Sequence, residues 1–471
     1  MCKNREFLFF IFNNFNSIFI GKASMKIVII GGAASGMTVA SRLKKADKKA
    51  QIIVIQKEKY VSLGACGLPY FVANPSLKST DLLARTVEQF IEQDILVYSE
   101  SVVKKIDAEN QKVWYEKNDQ LLELDYDKLV ISTGAKPIVP PIKGIDLPNI
   151  FTLTRLEDAT ELKEKLKDKN IKKVAVIGSG FIGLECCEML EHFNKEIVLI
   201  EKTSRLNQRV FDQEITDLLE QNLIKNNVEI IKENGLKSIT QTKDKRLSLT
   251  LDQNEEIEVD LIILAIGFRP ATEFLKDTKL EMLGNGAIVV DKHGRTNLKN
   301  IWSCGDCATV YHKITNQITY TPLATVARKF AKVVADDILN VNSEFVRTLQ
   351  TAILKVFESE LVSTGINETL AKELGYDIKT IFIKDADHPS YYPNPTPLAL
   401  KLILNKKTNT LIGAQMYGSN LSVLRINFLI SLIWNQIEIN QELTQVDLPY
   451  SPPFSRVVDI IHIALEKLIK N

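Results

Sequence analysis

Val174-Ala175-Val176-Ile177-Gly178-Ser179-Gly180-Phe181-Ile182-Gly183 is the stretch on which the reading of this chain turns. The four apolar residues predict a strand buried on both faces, and the glycines that follow make a complete G-x-G-x-x-G turn. Leu184 to Glu191 predicts a helix, Glu196 to Ile200 a second strand, and Glu201 is an acid at its end. At these separations the pieces form a dinucleotide-binding βαβ unit, with a pyrophosphate facing the helix N-terminus. Gly178, Gly180, Phe181, Ile182, Gly183 and Glu201 are the candidate nucleotide-binding residues. Glu201 suits an unphosphorylated ribose 2′-hydroxyl and repels a 2′-phosphate; Lys202 beside it moderates that preference. NADH is therefore expected, with NADPH as the alternative. Cys186 and Cys187 on the helix read as packing residues.

A related turn lies upstream. Met25 to Ile30 predicts a buried strand, followed by Gly31-Gly32-Ala33-Ala34-Ser35-Gly36 and a helical pattern through Leu43. Ala33 stands at the middle glycine of the motif. The next strand, Gln51 to Ile55, ends at Gln56, where an acid usually meets a ribose hydroxyl; glutamine can still hydrogen-bond there, without charge.

Ser62-Leu63-Gly64-Ala65-Cys66-Gly67-Leu68-Pro69-Tyr70 comes next. Glycines on either side of Cys66 let backbone approach a flat ligand, and Pro69 sets the exit direction. A thiolate there could take electrons from a bound cofactor and pass them to a disulfide or an oxidant. For an isolated cysteine, a small buried packing residue is the competing reading.

The composition sets limits. The chain has 471 residues, 45% of them hydrophobic and 25% charged, with a net charge of +1. That is an ordinary globular composition on the scale of about three domains of ~150 residues, with no field suited to nucleic acid or a membrane surface. Six cysteines are too few for a secreted disulfide scaffold. Cys304-Gly305-Asp306-Cys307 has zinc-like spacing, but no second Cys or His pair completes four ligands, so no metal is expected. Residues 1–24 differ in character: Lys3 and Arg5 precede Phe7 to Phe12, then asparagines interrupt the apolar run. A signal peptide is one reading. The preferred one is an extension outside the fold, with the protein in the cytoplasm.

Elsewhere, residues 80–97 predict helix then strand, and residues 101–131 short hairpin strands. Leu129 to Ala135 ends a strand in small residues, and Pro137, Pro140 and Pro141 mark a linker. Asp260 to Ile266 predicts a strand ending at Gly267. Asn300 to Asp306 runs a short strand into Gly305-Asp306, where the acid could accept hydrogen bonds from a cofactor polyol or simply cap a helix. Residues 322–340 predict an amphipathic helix. Beyond Phe345, strands (351–357, 378–384, 398–404, 410–417) alternate with helices (368–374, 421–435), without a nucleotide turn. Two aromatic clusters stand out there, His388-Pro389-Ser390-Tyr391-Tyr392-Pro393 and Pro449-Tyr450-Ser451-Pro452-Pro453-Phe454.

Taken together, the chain from Met25 onward resembles the flavin-dependent pyridine nucleotide–disulfide oxidoreductases. Within them it is similar to the single-cysteine branch of coenzyme A-disulfide reductases and NADH oxidases. The matching motifs are Gly31–Gly36, Ser62–Tyr70 with Cys66, Thr133-Gly134, Gly178–Gly183, Gly267 and Gly305-Asp306. The resemblance implies an α/β protein with two Rossmann-like nucleotide-binding domains, glutathione reductase-like, and a C-terminal α+β dimerisation domain. It divides the chain into an FAD-binding domain (25–145 and 270–343), an NAD(P)H-binding domain (146–269) and a dimerisation domain (344–471). It assigns FAD to Gly31, Gly32, Ala33, Ala34, Ser35, Gly36, Gln56, Lys57, Ser62, Thr133, Gly134, Gly267, Asp306 and Ala324.

The wider superfamily carries two redox cysteines with four residues between them. Val61 and Phe71 occupy those positions around Cys66, so the second sulfur comes from the substrate or a sulfenic acid forms. The coenzyme A-disulfide reductases similarly carry Tyr-Tyr-Pro and Tyr-x-Pro-Pro segments whose tyrosines reach the other subunit's site. Tyr392 (or Tyr391) and Tyr450 match them, implying a homodimer with shared sites. NADH peroxidases place a histidine in the first glycine turn, where this chain has none. The implied reaction is NAD(P)H reduction of coenzyme A disulfide through FAD and Cys66, with a tyrosine as acid. Ser62 and Arg42 (with Lys44 and Lys45 beside it) are candidate substrate contacts, although a charged, exposed helix face explains the basic residues equally. An NADH oxidase cycling through a cysteine sulfenate is the alternative, and a non-catalytic redox sensor a remote one.

Overall fold

The computed structural model describes residues 24–470. The N-terminal extension, apart from Ser24, lies outside the described residues, and with it the question of a signal. Three sheets carry the architecture, and one apolar cluster, which includes Phe71, Val176 and Leu361, runs across all three units.

The first is a five-stranded parallel sheet in the order Ile301–Ser303, Lys128–Ile131, Lys26–Ile30, Gln51–Ile55, Ile95–Tyr98. Its strands read as unbroken apolar runs because helices cover the sheet, and Ile27 to Ile30 and Ile52 to Ile55 are all buried. Helix α1 (Ala34–Ala46) follows the first strand. A short helix α2 (Leu68–Ala73) follows Cys66, and α3 (Val87–Ile91) starts at a Thr86 cap. A three-stranded antiparallel sheet, residues 102–125, is attached to this unit. The chain returns much later to add the strand Ile301–Ser303 beside Lys128–Ile131, which in turn pairs with Lys26–Ile30, all three running parallel. The carboxyl ends of three strands therefore meet, bringing together Gly31, Ser132-Thr133-Gly134 and Cys304-Gly305-Asp306.

The second unit repeats this plan. Its parallel sheet runs Val228–Ile231, Glu196–Ile200, Lys173–Ile177, Leu261–Leu264, Ile150–Phe151. Helices α4 (Leu156–Leu166), α5 (Phe181–Glu191) and α6 (Gln213–Lys225) belong to it. The chain enters and leaves through one antiparallel pair, Ala135–Pro137 with Phe268–Pro270. Back in the first unit, α7 (Ala324–Ile338) buries Val326, Ala327, Phe330, Ala331 and Val334, the three–four spacing of one helical face.

The third unit is a five-stranded antiparallel sheet in the order Ala352–Val356, Ser359–Gly365, Thr410–Gly418, Pro397–Asn405, Ile378–Ala386. Helices α8 (Glu368–Glu373), α9 (Ile426–Asn435) and α10 (Ile460–Lys470) accompany it. The strand Ser359–Gly365 and α10 were not expected from the sequence. The strand reads as polar, yet it is buried because its polar groups find partners: the Thr364 and Thr351 hydroxyls lie 2.7 Å apart, and Ser359 and Tyr417 2.6 Å apart. A buried cluster joins this unit to the second: Lys401, 2% exposed at its side chain, donates to Glu214 at 2.7 Å and to Glu368 at 2.6 Å. Among the described residues, no helix is long and apolar enough to cross a membrane, and no group of His, Cys, Asp or Glu is arranged to hold a metal ion.

Candidate active site

The two glycine turns are built alike. A Cβ on Gly36 would lie 1.9 Å from the Gly31 carbonyl oxygen, and one on Gly183 would lie 2.0 Å from that of Gly178. Only hydrogen fits at either place, so each helix starts tight against its strand. Both α1 and α5 begin without a side-chain cap, at Ala33 and Gly180, whereas α3 and α8 are capped by Thr86 and Asn367. The first-turn N–H groups of the two nucleotide helices are thus left for a ligand's phosphates.

Each strand-end residue closes its turn. Glu201 Oε2 accepts from the Ser179 N–H at 2.9 Å and the Ser179 hydroxyl at 2.5 Å, while Oε1 accepts from the Thr203 N–H at 2.8 Å and its hydroxyl at 2.7 Å. Burial opposes the charge, but these four bonds hold the carboxyl below its usual range. In the first unit Gln56 does the same work: its Oε1 accepts from the Gly32 N–H at 2.7 Å. Its amide donates to Glu58 at 2.8 Å and to the Tyr60 carbonyl at 3.1 Å. Both amide hydrogens are committed within the chain, so Gln56 keeps only acceptor capacity toward a ribose.

Where the three strand ends meet, two buried oxygens have no hydrogen-bond partner, Thr133 Oγ1 and Asp306 Oδ1. Burial pushes the Asp306 carboxyl up to about 6. Buried polar atoms are rarely left unpaired, so the pair fits a ligand rich in hydroxyls and phosphate, as the ribityl chain of FAD is. Asn207 Nδ2 is a further unpartnered atom in the second unit, on the residue whose N–H donates to Ser179 Oγ at 3.0 Å.

Cys66 lies in the single turn Ala65–Gly67 just before α2 and is exposed. Partial burial, with the Glu185 and Asp306 carboxylates nearby, raises its thiol pKa. Glu185, on α5, is a functional candidate that the sequence reading missed. Burial pushes it up to about 7, against the hydrogen bond it accepts from Tyr70 at 3.4 Å and with help from Glu188. Its only sequence signal is an acid between the apolar run Phe181-Ile182-Gly183-Leu184 and Cys186-Cys187. Tyr70 and Glu185 line a cleft of about 350 Å³ between α2 and α5.

The cysteine segment is gripped from both sides by α4 of the second unit. The Tyr60 hydroxyl accepts from the Leu156 N–H at 3.0 Å and donates to Glu157 at 3.0 Å. Beyond Cys66, the buried Lys163 ammonium donates to the carbonyls of Phe71, Asn74 and Leu77 at 2.8, 2.7 and 3.2 Å. It also sits 4.2 Å from the centre of the Phe71 ring. A cation on the last carbonyls of α2 satisfies groups that the helix cannot satisfy itself.

The remaining candidates separate. The Arg42 guanidinium is held in a two-point pair by Asp336 of α7, at 2.5 and 2.8 Å, and pins α1 to α7. Lys44 donates to the carbonyls of Lys48 and Ala50 at the end of its own helix. Tyr391 and Tyr450 meet, hydroxyl to hydroxyl, at 2.8 Å. Tyr392 instead packs edge-on against His388, with ring centres 5.3 Å apart.

Two parallel-sheet nucleotide units, a thiol at their junction and a third antiparallel unit define a two-nucleotide redox protein. The pyridine nucleotide-disulphide oxidoreductase family model matches residues 25–331, and its dimerisation-domain model matches residues 351–460. The chain belongs to the pyridine nucleotide-disulphide oxidoreductase family, and it is an FAD-dependent oxidoreductase that draws electrons from NAD(P)H. It is 30% identical to an NADH oxidase of Methanocaldococcus jannaschii, over 95% of this chain and 99% of that one. It is 32% identical to an NAD(P)H coenzyme A polysulfide/persulfide reductase of Pyrococcus horikoshii, over 94% and 98%. The solved structure of an NAD-dependent persulfide reductase from A. fulgidus superposes with a TM-score of 0.90 at 34% identity, covering 94% of this chain and 83% of that one.

Proposed function

We propose that this protein reduces coenzyme A disulfide, or a related low-molecular-weight disulfide, with NAD(P)H, using Cys66 as its single redox cysteine. One observation carries the reading: among the described cysteines Cys66 alone is exposed, while Cys186, Cys187, Cys304 and Cys307 are wholly buried. Among the described residues no second exposed sulfur is on offer, so in this reading the sulfur that pairs with Cys66 belongs to the substrate. The relative named as a coenzyme A polysulfide/persulfide reductase supports coenzyme A as the thiol that carries this sulfur.

In this reading Gly31–Gly36, Gln56, Lys57, Ser62, Thr133-Gly134, Gly267, Asp306 and Ala324 hold FAD, and Gly178–Gly183 with Glu201 hold the nicotinamide nucleotide. The domains divide at 25–145 with 270–343, 146–269, and 344–471. FAD, when bound, accepts hydride from the nicotinamide and supplies two electrons to an adjacent disulfide. The Cys66 thiolate attacks one sulfur of the substrate, forming a mixed disulfide and expelling one thiolate, which takes a proton from the Tyr391–Tyr450 pair. Two-electron reduction of the mixed disulfide frees the second thiol and restores Cys66. One NADH and one proton are consumed for two thiols formed. The tyrosines serve the site of a second copy in a homodimer, and the protein works in the cytoplasm.

The NADH oxidase reading is favoured by the M. jannaschii relative and by the openness of Cys66, which would then cycle through a sulfenic acid. NADH oxidation with CoA disulfide under anaerobic conditions, compared with oxygen alone, separates the two. Mass spectrometry of Cys66 as isolated gives a second answer, a coenzyme A adduct or an oxygen adduct. A protein that consumes no NADH with either acceptor is a sensor.

Two expectations attach to the cofactors. Glu201→Arg should move the kcat/KM ratio toward NADPH by ~1–3 kcal/mol, since it removes a like charge from beside the 2′-phosphate. It should also lower the melting temperature, because four donors lose their acceptor. An unchanged ratio would hand the preference to Lys202. For FAD, a ribityl hydroxyl donates to ionised Asp306, whose pKa without the ligand is about 6. Below that pH the apoprotein must shed a proton to bind, so affinity should weaken about tenfold per pH unit as pH falls and level off above it. Titrating apoprotein with FAD from about pH 5 to 8 measures this linkage; Asp306→Asn should bind more weakly and without the slope.

A further inference from the structure

The two tyrosine segments lie far apart in sequence, and one side chain touches both. Arg425 ends the turn Ser422–Arg425 and opens α9. Its Nη2 donates to the Asp387 carbonyl at 2.9 Å and to the Phe454 carbonyl at 2.6 Å. Nε donates to Asp459 Oδ2 at 2.8 Å, and Nη1 to the Ser422 carbonyl at 3.0 Å. Asp387 immediately precedes the first tyrosine segment, and Phe454 closes the second. Asp459 is itself anchored, since its Oδ1 accepts from the Ile461 N–H at 3.0 Å in the first turn of α10.

Each segment is stiff by its own bonds. Asp387 accepts from the Thr396 N–H and hydroxyl at 2.8 and 2.7 Å, and the buried His388 ring lies 2.8 Å from Asp387 Oδ1 and 3.2 Å from the Pro393 carbonyl. In the other segment the Ser455 hydroxyl donates to the Pro449 carbonyl at 3.0 Å, and the Phe454 N–H to the Ser451 carbonyl at 2.8 Å. Two rigid pieces joined at their bases keep their tips in register. Those tips are the Tyr391 and Tyr450 hydroxyls, 2.8 Å apart. The same stretches are linked again by Arg456 and Asp385, but that arginine is half-exposed and is a weak constraint, whereas the Arg425 side chain is only 15% exposed.

We propose that Arg425 is a positioning residue of the disulfide half-reaction: its guanidinium clasps the two tyrosine segments so that Tyr391 and Tyr450 present one proton-donating pair. The proposal rests on the reading of those tyrosines as acids. A guanidinium suits the task because its planar fork donates in several fixed directions at once, here to three carbonyls and a carboxylate. An ammonium keeps the charge without the fork.

The test compares Arg425→Lys, the double variant Tyr391→Phe/Tyr450→Phe, and the triple combination as FAD-loaded full-length protein. Arg425→Lys should lower kcat for CoA disulfide on the order of 10- to 100-fold, the effect of displacing an acid by about an ångström. KM for the disulfide and the rate of flavin reduction by NADH should stay within about twofold, since neither depends on the clasp. The triple variant should be no slower than the double one, because the clasp acts only through the tyrosines. Full activity in Arg425→Lys alongside a slow double variant overturns the proposal, as does a triple variant in which the two losses multiply. A double tyrosine variant at wild-type rate refutes the tyrosine reading itself, and the clasp with it. Should Arg425→Lys fail to fold, Asp459→Ala, which removes the acceptor that anchors the arginine, is judged by the same criteria. Failure of both to fold also overturns the proposal, for the clasp would then hold the unit together and not aim its tyrosines.

Discussion

Cys66→Ser protein should retain FAD and be reduced by NADH at close to the normal rate, yet turn over CoA disulfide slower by a factor on the order of 10³ or more. A hydroxyl cannot form the mixed disulfide, so the second half of the reaction loses its covalent step. The first half should survive because the residues of the two glycine turns hold themselves together without the thiol: Gln56 bonds to Gly32, and Glu201 to Ser179. The segment around residue 66 should also keep its place, since Tyr60 and Lys163 fix it through contacts that do not involve sulfur. Stopped-flow reduction by NADH and steady-state disulfide turnover measure the two halves separately. Near-normal disulfide turnover by this variant would remove Cys66 from the mechanism.

The second large effect is a recovery. A Cys66→Ser chain and a Tyr391→Phe/Tyr450→Phe chain should each form a nearly inactive homodimer. Both tyrosines are changed together because their hydroxyls lie 2.8 Å apart, close enough for one to stand in for the other. If the pair serves the partner's thiol, a heterodimer of the two chains holds one site with both lesions and one with neither. About half the wild-type activity per heterodimer should therefore return, as the count of intact sites requires. If the tyrosines serve their own chain, each site keeps one lesion and nothing returns. Tyr391, Tyr450, Phe454 and Val457 of the third unit are all exposed in the single chain, as large apolar groups of a partner surface would be. Tagged co-expression, with separation of the mixed species, yields the number.

The parts of this fold that were legible in the sequence are those whose cause is local. The turn Gly178–Gly183 is visible because helix and strand must nearly touch there, and that demand falls on a few adjacent residues. Ala33 weakened the first turn as a motif, but it sits exposed at the start of α1, where a methyl group meets no obstacle. Cys66 stood out by its glycines. What stayed hidden is set by contacts across the chain. Lys163 reads as one more charge on an amphipathic helix, and only the folded chain shows its ammonium among three carbonyls of residues 71–77. Glu185 and Arg425 are hidden for the same reason. The strand Ser359–Gly365 escaped because its polarity is satisfied by groups as distant as Val210 and Tyr417. Equally hidden are the partners of Gln56, whose amide donates to Glu58 and to the Tyr60 carbonyl and so leaves only acceptor capacity toward a ribose.

The grip of α4 on the cysteine segment bears on how this enzyme can be rebuilt. The second unit enters and leaves through a single pair of short strands, which makes it look like a cassette that could be exchanged for a homologue with another nucleotide preference. It is not a free cassette. A donor unit that lacks a lysine at position 163, or whose α4 begins without a free N–H for Tyr60, would arrive with its own nucleotide and leave the recipient's thiol unmoored. Chimeras cut at the linker strands should then show sound NADH binding and poor disulfide turnover, curable by grafting back α4 alone. Changing nucleotide preference by substitution at the end of one strand, at Glu201, leaves that joint intact.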